Sequence, residues 1–412
     1  MKNKQKLTAA LLLAGCLCMG SCALTAEPES TGAVETTVRE TAAPTGGETE
    51  AASNEETTAE APVTTEAKKE PAAASHYRNY TVSNGFARSL MPTEKSRVIV
   101  LDGVVFVGDR DGIRKFAQDG SEETITATSA KTMATDGKTV LFTTQVSEQT
   151  TGQPEINSEI RSVGTDGSDE KTLAECTASA QPLMLYEGKL YFTDDFADRY
   201  SYQGLFVKDL TTGDTEMTAD GCSAPLTFGT RFVYNRRDTH FSIYGALSEY
   251  DFASGESRAV SDDKLGYFID CENDTVYTCI STAQGSDTDA LCSYLPENGT
   301  YSRLDVDVKQ VQFHAVSDGE LFYRNGEANY HVPCAGGEPQ MLGLDSTNRF
   351  YKTDNGLVIS TDSGWYLCHG DTFERIDCIP SEMGTKLYGY YGNLVFYQLA
   401  DESDHINIKT VS

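Results

Sequence analysis

The stretch VIVLDGVVFVGDRDGIRKFAQDGSEETIT, residues 98–126, contains the pattern that decides the fold. A short apolar strand leads to an Asp-Gly turn at Gly103, and a second apolar strand follows at residues 104–107. A third strand, a second turn at Gly120 and a polar strand complete the pattern. Asp-Gly pairs are typical of tight hairpins because both turn residues tolerate positive φ. The stretch therefore predicts four short antiparallel strands.

This pattern recurs along the rest of the chain. The first turns fall at Gly103, Gly137, Gly188, Gly229, Asn273, Gly319, Gly356 and Gly392, with a mean spacing near 41 residues. The second turns contain Gly120, Gly167, Gly213, Gly255, Gly299, Gly337 and Gly370. Four strands in about 40 residues are typical of a β-propeller blade. We predict an all-β propeller of eight four-stranded blades, with seven blades as the alternative.

Two further points bear on this architecture. A β-sandwich also has short strands and frequent turns, but it has no reason to place the first turn signal eight times, seven of them followed by a second, at one period. The last repeat has room for only two or three strands before Ser412, and residues 78–91 could supply its outer strand. That pairing would close the ring and remove exposed sheet edges.

The repeat resembles the propeller domains of unknown function in secreted lipoproteins of Gram-positive anaerobes, which are similar to YWTD and TolB-like propellers. Residues 191–194, Tyr-Phe-Thr-Asp, nearly spell the YWTD motif, and residues 359–362, Ile-Ser-Thr-Asp, echo it. The resemblance covers about 330 residues and implies a propeller fold. Those relatives commonly have six blades, and most repeats here lack the Thr-Asp pair, so no binding role is transferred.

The N-terminus has the features of an export signal. Lys2, Lys4 and Lys6 precede an apolar run that ends in Leu-Ala-Gly-Cys at Cys16. This order resembles the lipobox of bacterial lipoproteins and predicts a signal peptide over residues 1–15 with lipidation of Cys16. Cys22 is the alternative lipidation site. Two long acyl chains hold a protein on a membrane without a spanning helix.

The segment 16–75 is predicted to be a disordered tether. Residues 23–75 contain 13 Ala, 11 Glu and 11 Thr, and they include no aromatic residue. Such a composition buries too little apolar surface to offset the entropy of ordering. We therefore expect residues 76–412 to form the propeller domain, lipid-anchored on the extracytoplasmic face of the bacterial cell membrane.

Composition and motifs exclude several functional classes. The net charge of −29 repels phosphate backbones, so no nucleic-acid partner is expected. The sequence has no nucleophile elbow, P-loop or zinc-ligand spacing, and we predict no catalytic residue, metal or cofactor. Asp109-Arg110-Asp111-Gly112 begins like a calcium loop, but Ile113 stands where an oxygen ligand is needed. Of the eight later cysteines, Cys271 and Cys279 flank a hairpin turn and could face each other, but buried free thiols are the favoured interpretation.

Binding residues are predicted on the longer links between second and third strands, at residues 145–157, 194–202, 235–244 and 281–289. Loops on a rigid scaffold are common binding sites. Two of these links combine aromatic and charged residues, and Tyr and Arg are frequent at binding hot spots. The predicted ligand-binding residues are Asp194, Asp195, Arg199, Tyr200, Tyr202, Arg236, Arg237, His240 and Tyr244.

The sequence thus favours a monomeric, non-enzymatic binding module for an extracellular protein, peptide or glycan, attached to the membrane by its N-terminal lipid. Two alternatives stay open. One is an extracellular hydrolase or lyase with carboxylates near the central channel, and the other is a structural component of the cell envelope.

Overall fold

The computed structural model describes residues 97–411 apart from gaps at 102, 118, 149–154, 197–198, 229–230, 238–244, 262–264, 273–274, 282–287, 310–313, 326–327, 345–346, 371 and 403. The chain divides after Thr65 into two parts, and all described residues belong to the second. The described residues form strands and turns without any helix, so none of them belongs to a helix that could span a membrane. The tether predicted at 16–75 and the strand predicted at 78–91 lie outside the described residues.

The strands follow one another as antiparallel meanders, which we call repeats 1 to 8. Repeat 1 comprises β1 (Val98–Leu101), β2 (Val104–Asp109), β3 (Gly112–Phe116) and β4 (Glu122–Thr126). Repeat 2 comprises β5 (Thr132–Thr135), β6 (Thr139–Gln145), β7 (Ile156–Gly164) and β8 (Lys171–Thr177). Repeat 3 comprises β9 (Gln181–Tyr186), β10 (Lys189–Phe196), β11 (Arg199–Asp209) and the first half of β12 (Thr215–Phe228). Repeat 4 comprises the second half of β12, β13 (Arg231–Arg237), β14 (Gly245–Asp251) and β15 (Glu256–Ala259).

The remaining repeats have the same order of strands. Repeat 5 comprises β16 (Leu265–Glu272), β17 (Thr275–Ser281), β18 (Thr288–Leu295) and β19 (Thr300–Lys309). Repeat 6 comprises β20 (His314–Ser317), β21 (Glu320–Asn325), β22 (Ala328–Pro333) and β23 (Gln340–Met341). Repeat 7 comprises β24 (Thr347–Thr353), β25 (Gly356–Thr361), β26 (Gly364–His369) and β27 (Thr372–Arg375). Repeat 8 comprises β28 (Lys386–Tyr391), β29 (Leu394–Gln398) and β30 (Asn407–Thr410).

The described turns lie where the sequence pattern predicts them. Gly103 and Gly120, for example, have φ of 79° and 80° and separate β1 from β2 and β3 from β4. Aspartates support several second turns through their side chains: Asp119 Oδ1 accepts the Ser121 N–H at 2.9 Å, and Asp209 Oδ1 accepts the Thr211 N–H at 2.8 Å. Glycine and aspartate together therefore define the repeat.

Repeats 3 to 5 differ from the prediction because they share one eleven-stranded sheet. The first half of β12 pairs with β11 and the second half pairs with β13, with Cys222 at the junction. The predicted long loop at 194–202 is also mostly strand, because β10 and β11 extend to the pair Phe196 and Arg199. Alternating side chains in this segment allow strand as well as loop, and pairing decides between them.

Apolar side chains alternate along the strands and fill both faces of each sheet. In β2, Phe106 packs toward repeat 2 and Val105 and Val107 pack toward repeat 8. Eight buried clusters arise in this way, and each is shared by two neighbouring repeats. The described part therefore has the propeller-like arrangement of sheets stacked face to face.

The eighth cluster joins repeat 8 to repeat 1. Phe116 and Phe396 meet edge to face with ring centroids 6.0 Å apart, and Val98 and Val105 lie in the same cluster. The Arg114 Nη2 also donates to the Ile406 carbonyl at 3.2 Å. The first and last described sheets are thus packed directly against each other.

The strand register contradicts the expectation that Cys271 and Cys279 face each other. Cys271 lies opposite Val276, whereas Cys279 lies opposite Tyr267, so the two cysteines do not face each other across the hairpin. Bulges in β16 shift this register. Among the residues whose side chains the structure describes, Cys222, Cys334 and Cys378 are free thiols.

Candidate functional site

A cleft of about 340 Å³ opens at one end of the sheets of repeats 8, 1 and 2. We call this the connection end, because it carries the links between second and third strands and the links from one repeat to the next. The lining residues come from five separate segments: Arg97, Asp109, Arg110, Ser129, Ala130, Lys131, Gln145, Val146, Ser147, Glu148 and Asp404. The cleft therefore depends on the packing of repeat 8 against repeat 1.

Asp109 forms the floor of the cleft and is fully buried. Its Oδ2 accepts a hydrogen bond from Arg114 Nη2 at 2.8 Å, and its Oδ1 accepts the Asp111 N–H at 2.8 Å. The Ile406 N–H of repeat 8 also donates to Oδ2, at 3.2 Å. A buried carboxylate is tolerated when it is paired and hydrogen-bonded in this way. Asp109 thus fixes the β2–β3 turn and ties it to repeat 8.

Asp404 is the carboxylate of the cleft that interacts most with cationic side chains. It forms an ion pair with Arg97, and its backbone carbonyl accepts the Arg110 N–H at 2.9 Å. The hydrogen bond from Arg97 holds the pKa of Asp404 below its ordinary value; partial burial opposes this shift, and the charges of Arg97, Lys131 and Arg110 add to it. Arg97 is therefore the direct partner of this carboxylate, and Lys131 and Arg110 add to its stabilisation.

The link between β6 and β7 forms one wall of the cleft. Lys131 donates to the Gln145 side-chain carbonyl, and Gln145 Nε2 donates to the Ser147 carbonyl at 2.8 Å. Val146, 58% exposed, lines the cleft, and Ile156 at the other end of the same link is 71% exposed. Apolar side chains beside fixed polar groups are a common feature of ligand sites.

A cluster of two carboxylates and a histidine adjoins the cleft. The ligand atoms of Asp109, Asp111 and His405 lie within 4.8 Å of one another, and His405 Nδ1 is 3.1 Å from Asp111 Oδ2. Two carboxylates and an imidazole are a donor set that divalent metals accept. However, the Arg114 guanidinium already occupies Asp109 Oδ2, and its positive charge opposes a second cation at that oxygen.

The predicted binding residues lie in repeats 3 and 4, away from this cleft. Asp194 is 7% exposed and accepts hydrogen bonds from the Thr177 N–H at 3.1 Å and the Thr177 hydroxyl at 2.5 Å, so it ties repeat 3 to repeat 2. The Asp195 N–H donates to it at 2.8 Å. Arg236 is 57% exposed and lies 3.4 Å from Asp220. The side chains of Arg199, Tyr200, Tyr202 and Arg237 and the whole of His240 and Tyr244 lie outside the described set.

A smaller cavity of about 150 Å³ lies at the opposite end of the sheets, between repeats 6 and 7. Glu320 lines it and binds His331 Nδ1 at 2.6 Å, while the His331 ring stacks on Phe322. These contacts give His331 a structural role. The cavity is small for a ligand, because typical ligand pockets are about 300–1,000 Å³.

The cations of the cleft were not identified from the sequence. The three cations and the carboxylate Asp404 lie in four separate segments of the chain: Arg97, Arg110, Lys131 and Asp404. Arg97 is 307 residues from its partner Asp404. One signal was present: Asp109 ends β2, Asp194 lies near the end of β10, the equivalent strand of repeat 3, and each carboxylate accepts a backbone N–H from a neighbouring repeat. Aligning the repeats on these aspartates would have placed Asp109 at a junction.

No family model and no curated protein matches the chain. Among solved structures, an oligogalacturonate lyase from Vibrio parahaemolyticus is similar at 8% identity and a TM-score of 0.38, over 64% of this chain and 80% of that one. TolB from Acinetobacter baumannii is similar at 13% identity and a TM-score of 0.32, over 74% and 78%. A prolyl endopeptidase is similar at 12% identity and a TM-score of 0.45, over 76% of this chain and 52% of its own. At TM-scores below 0.5, these similarities assign no family to the chain.

Proposed function

We propose that this chain is a non-catalytic binding module, held outside the cell by a lipid on Cys16 or Cys22, that captures an extracellular ligand in the cleft between repeats 8, 1 and 2. The observation that carries the proposal is the cleft itself, with its five contributing segments and fixed polar groups. Pockets of this size on a rigid scaffold are the usual sites of ligand binding.

The proposal includes a closed propeller in which the eight repeats are the blades. Its support is the set of eight shared clusters, the last of which joins repeat 8 to repeat 1. A closed ring removes sheet edges and gives the connection end a fixed surface. In this arrangement the segment 16–75 is the tether between membrane and ring.

Binding is favoured over catalysis by the state of the carboxylates in the cleft. Asp109 is paired with Arg114, and Asp404 is paired with Arg97, so neither is arranged as a free general base. One observation favours the enzymatic alternative: His405 lies 3.1 Å from Asp111 and 3.5 Å from Asp109, and a histidine beside a carboxylate is a common general-base arrangement.

A steric block of the cleft tests the proposal. Ser129→Trp would fill the cleft, whereas Ser121→Trp adds the same bulk to an exposed turn at the opposite end of repeat 1. Residues 76–412 carrying each substitution are compared with wild type for capture of cell-surface proteins, peptides and glycans. We expect only Ser129→Trp to lose the captured ligand.

Two results would contradict this function. Equal capture by the wild-type and Ser129→Trp proteins would remove the cleft as the binding site. Conversion of the captured ligand to smaller products, abolished in His405→Gln, would instead establish the enzymatic alternative.

A further inference from the structure

We propose that Lys352 and Glu272 form a strap between the first strands of repeats 5, 6 and 7, so that these three repeats open as one unit. The buried apolar clusters join each repeat only to its neighbours. The strap is different, because it connects repeat 7 to repeat 5. Lys352 Nζ of repeat 7 donates to the Cys271 carbonyl of repeat 5 at 2.5 Å.

Strand geometry directs the Lys352 side chain toward repeat 6 and beyond it. Lys352 lies two residues after Phe350 in β24, so the two side chains point to the same face of the sheet. Phe350 shares a buried cluster with Ala315 and Phe322 of repeat 6. Strand β20 of repeat 6 contacts both β16 of repeat 5 and β24 of repeat 7. The Lys352 side chain therefore spans the first strand of repeat 6 to reach repeat 5.

The Glu272 carboxylate, at the end of β16, is the point where the three repeats meet. Its Oε1 accepts the Asp318 N–H and its Oε2 accepts the Gly319 N–H, both at 2.7 Å. Asp318 and Gly319 form the β20–β21 turn of repeat 6, with φ of 55° and 76°. Lys352 Nζ lies 3.9 Å from Glu272 Oε1. One carboxylate of repeat 5 thus interacts with the backbone of repeat 6 and the ammonium group of repeat 7.

Burial makes the two charges depend on each other. The side chains of Lys352 and Glu272 are only 7% and 11% exposed. Buried charges are tolerated when they are paired and hydrogen-bonded, and removal of one partner leaves the other without compensation. Lys352 is therefore a positioning residue, because its charge holds the Glu272 carboxylate in place for the turn of repeat 6.

Hydrogen exchange of the full-length protein, read by mass spectrometry of peptic fragments, tests the strap. Lys352→Met keeps most of the side-chain length and removes the charge. We expect exchange in the fragment that contains Asp318 and Gly319 to become about fivefold faster, because the acceptor of these amides is no longer held in place. Glu272→Gln should in turn accelerate exchange in the fragment that contains residue 352, since the coupling of two sites is reciprocal.

A link between two adjacent repeats supplies the matched control. The Asn355 side chain of repeat 7 binds the β28–β29 turn of repeat 8: its Oδ1 accepts the Gly392 N–H at 2.9 Å, and its Nδ2 donates to the Gly392 carbonyl at 2.6 Å. This link also holds a first turn, but it uses a neutral amide. Asn355→Ala should accelerate exchange around Gly392 and leave the fragment with Asp318 and Gly319 unchanged.

Two further variants show whether Lys352 acts through Glu272. Lys352→Arg retains the charge and should keep exchange at Asp318 and Gly319 slow. Lys352→Met combined with Glu272→Gln should exchange there less than about twofold faster than Glu272→Gln alone, because residues that act as one unit have non-additive effects. Additive effects of the two substitutions would overturn the positioning role.

Two other results would overturn the strap. Unchanged exchange at Asp318 and Gly319 in a folded Lys352→Met protein would show that the turn of repeat 6 does not depend on repeat 7. Equal acceleration in repeat 1 and repeat 6 would show a general loss of stability instead of a coupled unit. If Lys352→Met does not fold, Glu272→Gln decides: faster exchange in the fragment with residue 352 supports the strap, and unchanged exchange refutes it.

Discussion

The Asp194 carboxylate joins repeat 3 to repeat 2 through two buried hydrogen bonds from Thr177, and it also accepts the Asp195 N–H within repeat 3. Asp194→Ala would leave these donors without an acceptor, at a cost of about 2–3 kcal/mol. Asp194→Asn retains one acceptor oxygen, so we expect a smaller loss. Urea unfolding of the two variants measures the difference, and equal losses would contradict this account.

The charge of Asp194 also gives the protein a distinctive pH response. Burial raises the pKa of this carboxyl above its ordinary value. Its ionisation therefore opposes folding, and the resulting loss of stability develops as the pH rises through the unfolded value of about 4. Asp194→Asn has no such ionisation. The free energy of unfolding of the variant, measured relative to wild type, should therefore be more favourable at pH 7 than at pH 3.5. The opposite order would show that the carboxylate is stabilised by charge.

The second turns of the repeats offer a test at the level of the hairpin. Gly167 and Gly120 have φ of 84° and 80°, but a Cβ on Gly167 would lie 2.9 Å from the Ile125 carbonyl of repeat 1, whereas one on Gly120 would meet nothing within 4 Å. The left-handed conformation costs an L-residue about 1–2 kcal/mol. Gly120→Ala should cost about that amount, and Gly167→Ala should cost clearly more. Thermal unfolding of the two variants checks the order.

The edge strand of repeat 8 gives a second test at this level. In the described residues, β30 pairs only with β29. If residues 78–91 form the outer strand, a chain that starts at Arg97 should melt at lower temperature than one that starts at His76, and it should self-associate through the exposed edge. Equal melting temperatures and two monomers in analytical ultracentrifugation would contradict that pairing.

The elements were predictable from the sequence where turn chemistry fixes them. The turns at Gly103, Gly120 and their equivalents have positive φ, which glycine adopts readily. The signal for these hairpins is therefore local and does not depend on the neighbouring repeat. The continuous strand β12 was not predictable in this way. Its course is set by pairing with β11 and β13 at once, which depends on residues distant in sequence.

At the scale of the whole molecule, acid should destabilise the fold. The hydrogen bonds of their turns lower the pKa of Asp119, Asp166 and Asp209, and the bond from Arg97 lowers that of Asp404. Lowered pKa values give stability that is present above about pH 4 and is lost as the pH falls below it. Melting temperatures between pH 7 and pH 3 measure this loss, and the triple Asn variant at positions 119, 166 and 209 should show a weaker dependence. A melting temperature of the wild-type protein that does not change between pH 7 and pH 3 would contradict the predicted acid destabilisation.

The candidate site could not be predicted from the sequence, because it forms only when the sheets of repeats 8, 1 and 2 pack together. Arg110 and Asp404 are brought together by the packing of repeat 8 on repeat 1, and no local pattern marks either residue. The predicted residues of repeats 3 and 4 rest on link length and composition, and Asp194 shows that a residue with these features can instead be buried in the fold.

The contact between repeats 8 and 1 has a consequence for the newly made chain. Arg114 and Ile406, which bind each other, are 292 positions apart. At a synthesis rate of about 5–20 residues per second, repeat 1 waits roughly 15–60 s for its last neighbour. During that interval Val105 and Val107 lack the apolar surface that repeat 8 supplies, although each of the other clusters can form as soon as the next repeat emerges. The slow step of maturation should therefore be set by the arrival of the last few residues, and a ribosome stalled before residue 394 should leave a nascent chain that is readily degraded.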